Sequence, residues 1–323
     1  MTPSIPTLYR RALLGGLAVT ALAFAIPAAA AEAYPTKPIK WTVGFPAGGG
    51  TDALARTVGV ELGKRLNGQV IIDNRAGAAG MIAAEAISRA APDGYIAILA
   101  FNPAIYAPIR YDAQNSFAAV GLMARFPMLI AASPQSGIKN MGDLLAEIRK
   151  GGLGYGTAGV GTPHHIAMEQ LLNTSQLQAE HIPYKGDAPA LQDLAGGQIK
   201  VAALAPSLSL PFVSDGKLVP LAVTGDKRLP QLPQVPTLLE LNLARQPIYA
   251  WQGLVAPAGT PPERIGKLSQ ELQQSLKNPE VVRKLEDLGM EPIASTPEAM
   301  TAYVRKEQAL WGPFIKARGI TNK

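Results

Sequence analysis

The sequence predicts an α/β fold in two lobes, each a mostly parallel sheet flanked by helices. Three observations carry this. Strand and helix signals alternate from Ile39 onward, the alternation restarts after Ser133-Pro134, and two glycine-rich stretches over a hundred residues apart share one grammar. These are Phe45-Pro46-Ala47-Gly48-Gly49-Gly50-Thr51-Asp52 and Gly156-Thr157-Ala158-Gly159-Val160-Gly161-Thr162-Pro163-His164. Each follows a β-like run and opens a helical one, a strand–turn–helix order that builds doubly wound sheets.

In chain order, Ile39 to Phe45 reads as a strand with Ile39, Trp41 and Val43 on one face. Leu54, Val58, Leu62 and Leu66 recur every four residues and define a helix that Gly68 can end. Val70 to Ile72 is a buried strand, Ala79 to Ala90 a helix stopped by Pro92-Asp93-Gly94, and Tyr95 to Leu99 a third strand. After Pro134 the helices are Met141–Lys150, Pro163–Leu172 and Ala188–Ala195, and the strands Leu153–Gly156, His181–Tyr184, Val201–Leu204 and Leu218–Val223. The tail from Pro261 is helical: Ile265, Leu268, Leu272 and Leu276 form one stripe, Val282, Leu285 and Leu288 another, and Thr296-Pro297-Glu298 starts the last helix. Two apolar runs, Met128–Ala132 and Gly253–Ala256, are placed to carry the chain between lobes. The expected division is a leader over 1–33, a first lobe of 34–133 plus 254–323, and a second lobe of 134–253.

The leader reads from its parts. Arg10-Arg11 precede an apolar stretch from Ala12 to Ala25, and Ala31-Glu32-Ala33 fits a small-x-small cleavage site that leaves Tyr34 first. The stretch is short for a membrane span; a retained anchor is the alternative. The paired arginines leave export in a folded state open. The chain has no cysteine, which excludes disulfides, thiolate metal sites, cysteine nucleophiles and a lipid anchor on cysteine. An exported, soluble periplasmic protein is the expectation. Thirty basic and 24 acidic residues give a net charge of +6, which suits small anions. The basic residues are scattered, with no stripe carrying aromatics, so nucleic acid is not an expected partner.

A helix start offers unpaired N–H groups and the positive end of a dipole, and so holds an anion without a charged side chain. Two such starts on two lobes can grip one anion from both sides. Thr51 and Asp52 suit one helix start, and Thr162 as cap with Pro163 in the first turn suits the other. The bland alternative is that these glycines only make tight turns.

Nine segments, taken in order, resemble one family. They are Tyr34-Pro35-Thr36-Lys37-Pro38-Ile39, the first glycine loop, Asn74-Arg75-Ala76-Gly77-Ala78-Ala79-Gly80, Pro92-Asp93-Gly94-Tyr95, the second glycine loop to Thr162, Tyr184-Lys185-Gly186-Asp187-Ala188-Pro189-Ala190, Gly196-Gly197-Gln198, Val235-Pro236-Thr237, and Ala256-Pro257-Ala258-Gly259-Thr260-Pro261. Together, from about Tyr34 to Gly319, they resemble the periplasmic solute receptors of tripartite tricarboxylate transporters, the Bug family. The resemblance implies a type II-like periplasmic binding protein whose hinge is crossed by two strands. It implies a monomer that closes on a small organic carboxylate and delivers it to a membrane permease, without cofactor or catalysis. Its implied ligand contacts are Phe45, Ala47, Gly48, Gly49, Gly50, Thr51 and Asp52 in the first loop, and Thr157, Ala158, Gly159, Gly161, Thr162, Pro163 and His164 in the second. Asp187 lies on a further wall, and Asn102, beside Phe101, and Ser207 are further candidates.

Several readings compete. His164, His165 and Glu169 invite a metal-dependent hydrolase, since His165 and Glu169 stand four apart on one helix. A receptor feeding a sensor kinase needs the same closed form. Asp187 in a cleft repels a second ligand carboxylate and favours an amino, amide or hydroxyl group; as a helix cap it serves Ala188 onward. Trp41, Tyr249 and Trp251 are candidates to stack on an aromatic acid, although Trp41 alternates with buried strand residues. No nucleophile elbow surrounds Ser133, Ser207 or Ser209, and no phosphate-loop lysine follows either glycine run. Citrate-like acids, dicarboxylates, amino acids, nicotinate-like rings and aromatic diacids all fit.

Overall fold

Two mixed sheets divide the chain. The computed structural model describes residues 34–100, 111–112 and 115–320. The leader and Asn102, with Phe101, lie outside the described residues. Among the described residues, the first sheet has the order β11-β4-β10-β3-β1-β2. Its members are β1 (Ile39–Val43), β2 (Val70–Asn74), β3 (Ile96–Ala100), β4 (Phe117–Pro127), β10 (Tyr249–Pro257) and β11 (Glu291–Pro292). The second sheet has the order β7-β6-β8-β5-β9. It comprises β5 (Leu129–Ala132), β6 (Gly154–Thr157), β7 (Glu180–Pro183), β8 (Val201–Leu204) and β9 (Val219–Val223).

The expected parallel, doubly wound core is present in each sheet, but only in part. β1 runs parallel to β2 and β3, and β6 parallel to β7 and β8. The rest of each sheet is antiparallel: β10 to β3 and β4, and β5 to β8 and β9. The sheets are therefore mixed rather than mostly parallel. Strands that carry the chain between sheets must run out and back, and the return direction opposes the wound strands.

The chain leaves the first sheet at Met128, at the start of the expected run Met128–Ala132, and returns at Ile248, ahead of the second run Gly253–Ala256. Gly253–Ala256 lies inside β10, where all nine residues are buried. An apolar run cannot distinguish a crossing strand from a buried central one. Thr224 stitches the two crossings together. Met128 N–H donates to its Oγ1 (2.9 Å), which donates to the Ile248 carbonyl (2.7 Å). Its own N–H donates to the Met128 carbonyl (3.0 Å), and its carbonyl accepts from Ile248 N–H (2.9 Å).

Burial explains each element's face. In β5, Ile130 and Ala132 enter one apolar cluster and Leu129 and Ala131 another, the alternation of a strand buried on both sides. Helix α1 (Gly50–Arg65) buries Leu54, Ala55, Val58 and Leu62. The tail helices α7 (Pro262–Ser275), α8 (Pro279–Asp287) and α9 (Pro297–Ala317) return to the first sheet, with α7 and α9 against β4 and α8 against α1 and β11. Trp41 is fully buried, and Trp251 is buried with its ring edge-on to Tyr303 (5.9 Å). Among the described residues no helix is long and apolar enough to cross a membrane.

Helix α3 (Met141–Arg149) starts at Asn140, whose side chain accepts from Asp143 N–H at 2.9 Å. Removing that acceptor orphans a donor at the helix start. Asn140→Ala is expected to cost about 1 kcal/mol, read as a lower urea midpoint at unchanged slope.

Candidate functional site: a cleft lined by helix starts

Both glycine loops open onto one cleft between the sheets. It is lined by Phe45, Pro46, Gly49, Gly50 and Thr51 from the first loop and α1, and by Ala158, Thr162 and His164 from the second loop and α4 (Pro163–Ser175). Gly186, Asp187 and Ala188 at the start of α5 (Asp187–Ala195) form another wall, and Phe126 and Gln252 come from β4 and β10. About 510 Å3 of non-atom space, open solvent included, lies over these residues. Among the described residues, no lysine or arginine lines it.

Three helix starts thus meet the cleft, and their caps leave donors over. Gly49 precedes α1 and Gly186 precedes α5, and neither start has a side-chain cap. The first-turn N–H groups of Gly50 and Thr51 therefore have no partner within the helix. The α4 start differs: Thr162 accepts from His165 N–H, and Pro163 has no N–H, so His164 supplies the remaining first-turn donor. The left-handed backbone of Gly159 (φ +136°) and of Gly161 (φ +69°) shapes the turn before it, a region costly for residues with a Cβ.

Several expected contacts face elsewhere. Ala47 and Gly48 are exposed on the loop. Asp52 turns back onto the loop, where its carboxylate accepts from Gly48 N–H (2.9 Å), Arg56 Nε (2.9 Å) and Asn74 Nδ2 (3.0 Å). Burial acts to raise its pKa, but those three donors and the Arg56 charge outweigh it and hold the carboxyl below its usual range. Thr157 is buried with Oγ1 2.7 Å from His181 Nε2. Gly161 N–H donates to His165 Nδ1 (3.0 Å). Gly159 and Pro163 are buried behind the wall. Ser207, near the start of α6 (Pro206–Ser214), stands against α1: a Cβ built on Gly50 would lie 2.7 Å from its Oγ.

Asp187 is neither a cap for its own helix nor an open carboxylate. It is the first residue of α5, and its Oδ1 accepts from Ala205 N–H (3.1 Å) at the start of α6. His164 Nε2 lies 3.1 Å from the same oxygen, an ion pair only when the ring carries a proton, and both ring nitrogens are buried without a hydrogen-bond partner among the described residues. Burial raises the Asp187 pKa; the His164 charge and the N–H groups of Ala205 and Asp187 lower it further, leaving it below the usual carboxylate range.

The histidine pair that suggested a metal splits apart. Consecutive helix residues point about 100° from each other; His164 faces Asp187, and His165 faces inward. There His165 stacks on His181 at 3.6 Å. Glu169 is held by Tyr155 Oη (2.7 Å) and by Arg318 Nε and Nη2 (2.8 and 2.6 Å). Among the described residues no group of three or more His, Cys, Asp or Glu side chains is arranged to hold a metal ion. The aromatic candidates also move: Trp41 and Trp251 are core, and Tyr249 donates to Asp226 beneath the Arg125 guanidinium, 4.3 Å from its ring. Phe45 and Phe126 are the rings on the cleft. Phe126 and Gln252 were missed by sequence reasoning. A lone glutamine in the apolar run Tyr249–Pro257 was the available signal.

Comparison with known proteins now bears on this geometry. The profile of the tripartite tricarboxylate transporter family receptor matches residues 54–320. Protein BugT of Bordetella pertussis is 28% identical over 94% of this chain and 96% of its own length. A solved structure of an R. palustris protein with adipate is similar with a TM-score of 0.85, at 31% identity, over 90% of this chain and 100% of that one. The structure of MatC from Rhodopseudomonas palustris with bound malate gives 0.82, at 28% identity, over 87% and 100%. The fold is that of the periplasmic binding proteins. The chain belongs to the tripartite tricarboxylate transporter receptor family and is related to the Bug proteins. This is a family of solute-binding receptors.

Proposed function

We propose that this chain is an exported periplasmic receptor that captures one small carboxylate in the cleft and delivers it to the permease of a tripartite tricarboxylate transporter. One observation carries the reading: three helix starts present donors to a cleft whose lining, among the described residues, includes no lysine or arginine. Such donors stabilise an anion by dipole and hydrogen bond, directly or through ordered water. The relatives solved with adipate and malate support a small organic acid as ligand.

The mechanism is closure. Each sheet with its helices forms a lobe, and Met128, Thr224 and Ile248 form the hinge. Binding brings the first loop and the α4 and α5 starts onto the same ligand, as Pro46 beside Gly186 and Gly50 beside Ser207 already indicate. Phe45, Gly49, Gly50, Thr51, Ala158, Thr162, His164 and Asp187 are the ligand-facing residues in this reading. Asp52, Thr157, Gly159, Gly161 and Pro163 act by holding loop shape. Residues 1–33 serve as the cleaved leader, and the receptor works as a monomer without a cofactor. No bond is made or broken.

Calorimetric titration with small carboxylic acids and their methyl esters tests this. An acid that binds only the folded state adds about 2.7 kcal/mol of stability at a hundred times its dissociation constant, and its ester is expected to add none. Equal responses to acid and ester, or a response to divalent metal ions alone, would sink the reading.

A further inference from the structure

Gln252 is 1% exposed, lines the cleft, and is the only amide side chain to do so among the described residues. Its Nε2 donates to Thr51 Oγ1 at 2.7 Å, which anchors the side chain beside the first turn of α1. Its Oε1 is buried without a hydrogen-bond partner. A buried acceptor left unmade is costly, so its retention in an otherwise apolar strand calls for a partner that arrives later. The strand is irregular at this point: pairing with β4 shifts register between Gln252 and Gly253. A bulge re-aims side chains and is common beside ligand sites.

The neighbouring polar groups sharpen the demand. Asp187 Oδ1 already accepts from Ala205 N–H and has His164 Nε2 against it. Thr51 Oγ1 is taken up by Gln252 itself. The cleft therefore offers two kinds of group: helix-start donors at three points and, beside the α1 start, a buried acceptor with nothing to accept. Resting on the receptor reading above, we infer that the ligand is a small carboxylate that also carries a hydrogen-bond donor, a hydroxyl or an ammonium, and that Gln252 is the residue that selects it. Asp187 positions His164 and the α6 start and does not choose between ligands.

Matched acids on one carbon skeleton test this: succinate, malate and aspartate, and glutarate, 2-hydroxyglutarate and glutamate, titrated calorimetrically into the purified protein. The donor-bearing acid of at least one skeleton is expected to bind about 10-fold or more tighter than its plain partner, as leaving a buried acceptor unpaired implies. The hydroxyl and amino arms then distinguish the two donors. Gln252→Met is expected to bring that ratio close to one. Gln252→Glu, an isostere that keeps an acceptor, should retain it. Asp187→Asn should weaken all acids together and preserve the ratio. Plain acids binding as tightly as substituted ones would overturn the inference, because a water would then satisfy Oε1, and would leave the receptor reading intact. A ratio that survives Gln252→Met but collapses in Asp187→Asn would also overturn it. Failure of every acid to bind would remove the receptor reading, and this inference with it.

Discussion

Gly50→Val is expected to weaken ligand binding by about 10- to 100-fold, from the ~1–3 kcal/mol typical of overpacking, while the unliganded protein stays folded. Gly50 is the first residue of α1, and α1 belongs to the first sheet's side of the cleft. A Cβ there would lie 2.7 Å from Ser207 Oγ, 3.5 Å from Met290 Cε and 3.7 Å from Ala205 Cβ. Ala205 and Ser207 stand at the start of α6, which follows β8 of the second sheet. The collision therefore falls between the two sides of the cleft, not inside either core. A valine at a helix start is otherwise tolerable, so the two sides separate rather than unfold. Calorimetry with the tightest acid, beside thermal unfolding of the free protein, reads the two effects apart. Ser207→Gly in the same chain should recover part of the lost affinity. Undiminished binding by Gly50→Val would show that the ligand does not need this approach.

The second large effect is acid sensitivity. Burial, and after it the Arg318 charge, pushes His165 down to about 4. Burial and His165 push His181 down to about 3, against the pull of Glu169. Both rings titrate near 6.5 in the unfolded chain. From pH 6.5 downward the unfolded state binds protons that the folded state refuses, so stability falls with pH, the share of His165 being lost by about pH 4 and that of His181 by about pH 3. Each group contributes about 1.4 kcal/mol per pH unit across that window, so the loss amounts to several kcal/mol. Tyr155, Glu169 and Arg318 surround the pair, and His165 Nδ1 accepts from Gly161 N–H in the second glycine loop. Protonating His165 removes that acceptor, so the loop should loosen before the whole chain unfolds. His165→Asn, which keeps an acceptor but does not titrate, is expected to flatten the slope of unfolding free energy between pH 6.5 and 4.5. A slope identical to that of the parent protein would place the acid sensitivity elsewhere.

Much of this architecture is written in local pattern. The four-residue recurrence from Leu54 to Leu66 lies within α1 and its cap, and Val201–Leu204 forms a strand with those same ends. Glycine runs that precede helix starts were readable because turn and cap chemistry is local. What was not legible depended on long-range pairing. Strand β4 carries no clean alternation, since it is covered by β10, α7 and α9 along most of its length. The register shift that accompanies Gln252 arises only where β10 meets β4. What holds Asp187 was hidden for the same reason. Its partner is Ala205 N–H, eighteen residues away, at the start of a helix containing Pro211 that no periodicity announced. His164 and His165 are adjacent in sequence and separate in space, which helix geometry alone could have foreseen.

Under the proposed function, backbone donors at helix starts hold the ligand's carboxylate, and amide NMR of the labelled protein, titrated with the tightest-binding acid, reads those donors one by one. The largest shifts are expected on the N–H groups of Gly50, Thr51, His164 and Ala188, and the matching methyl ester should leave them in place. Shifts centred on exposed lysine and arginine side chains, with these four amides unmoved, would contradict it.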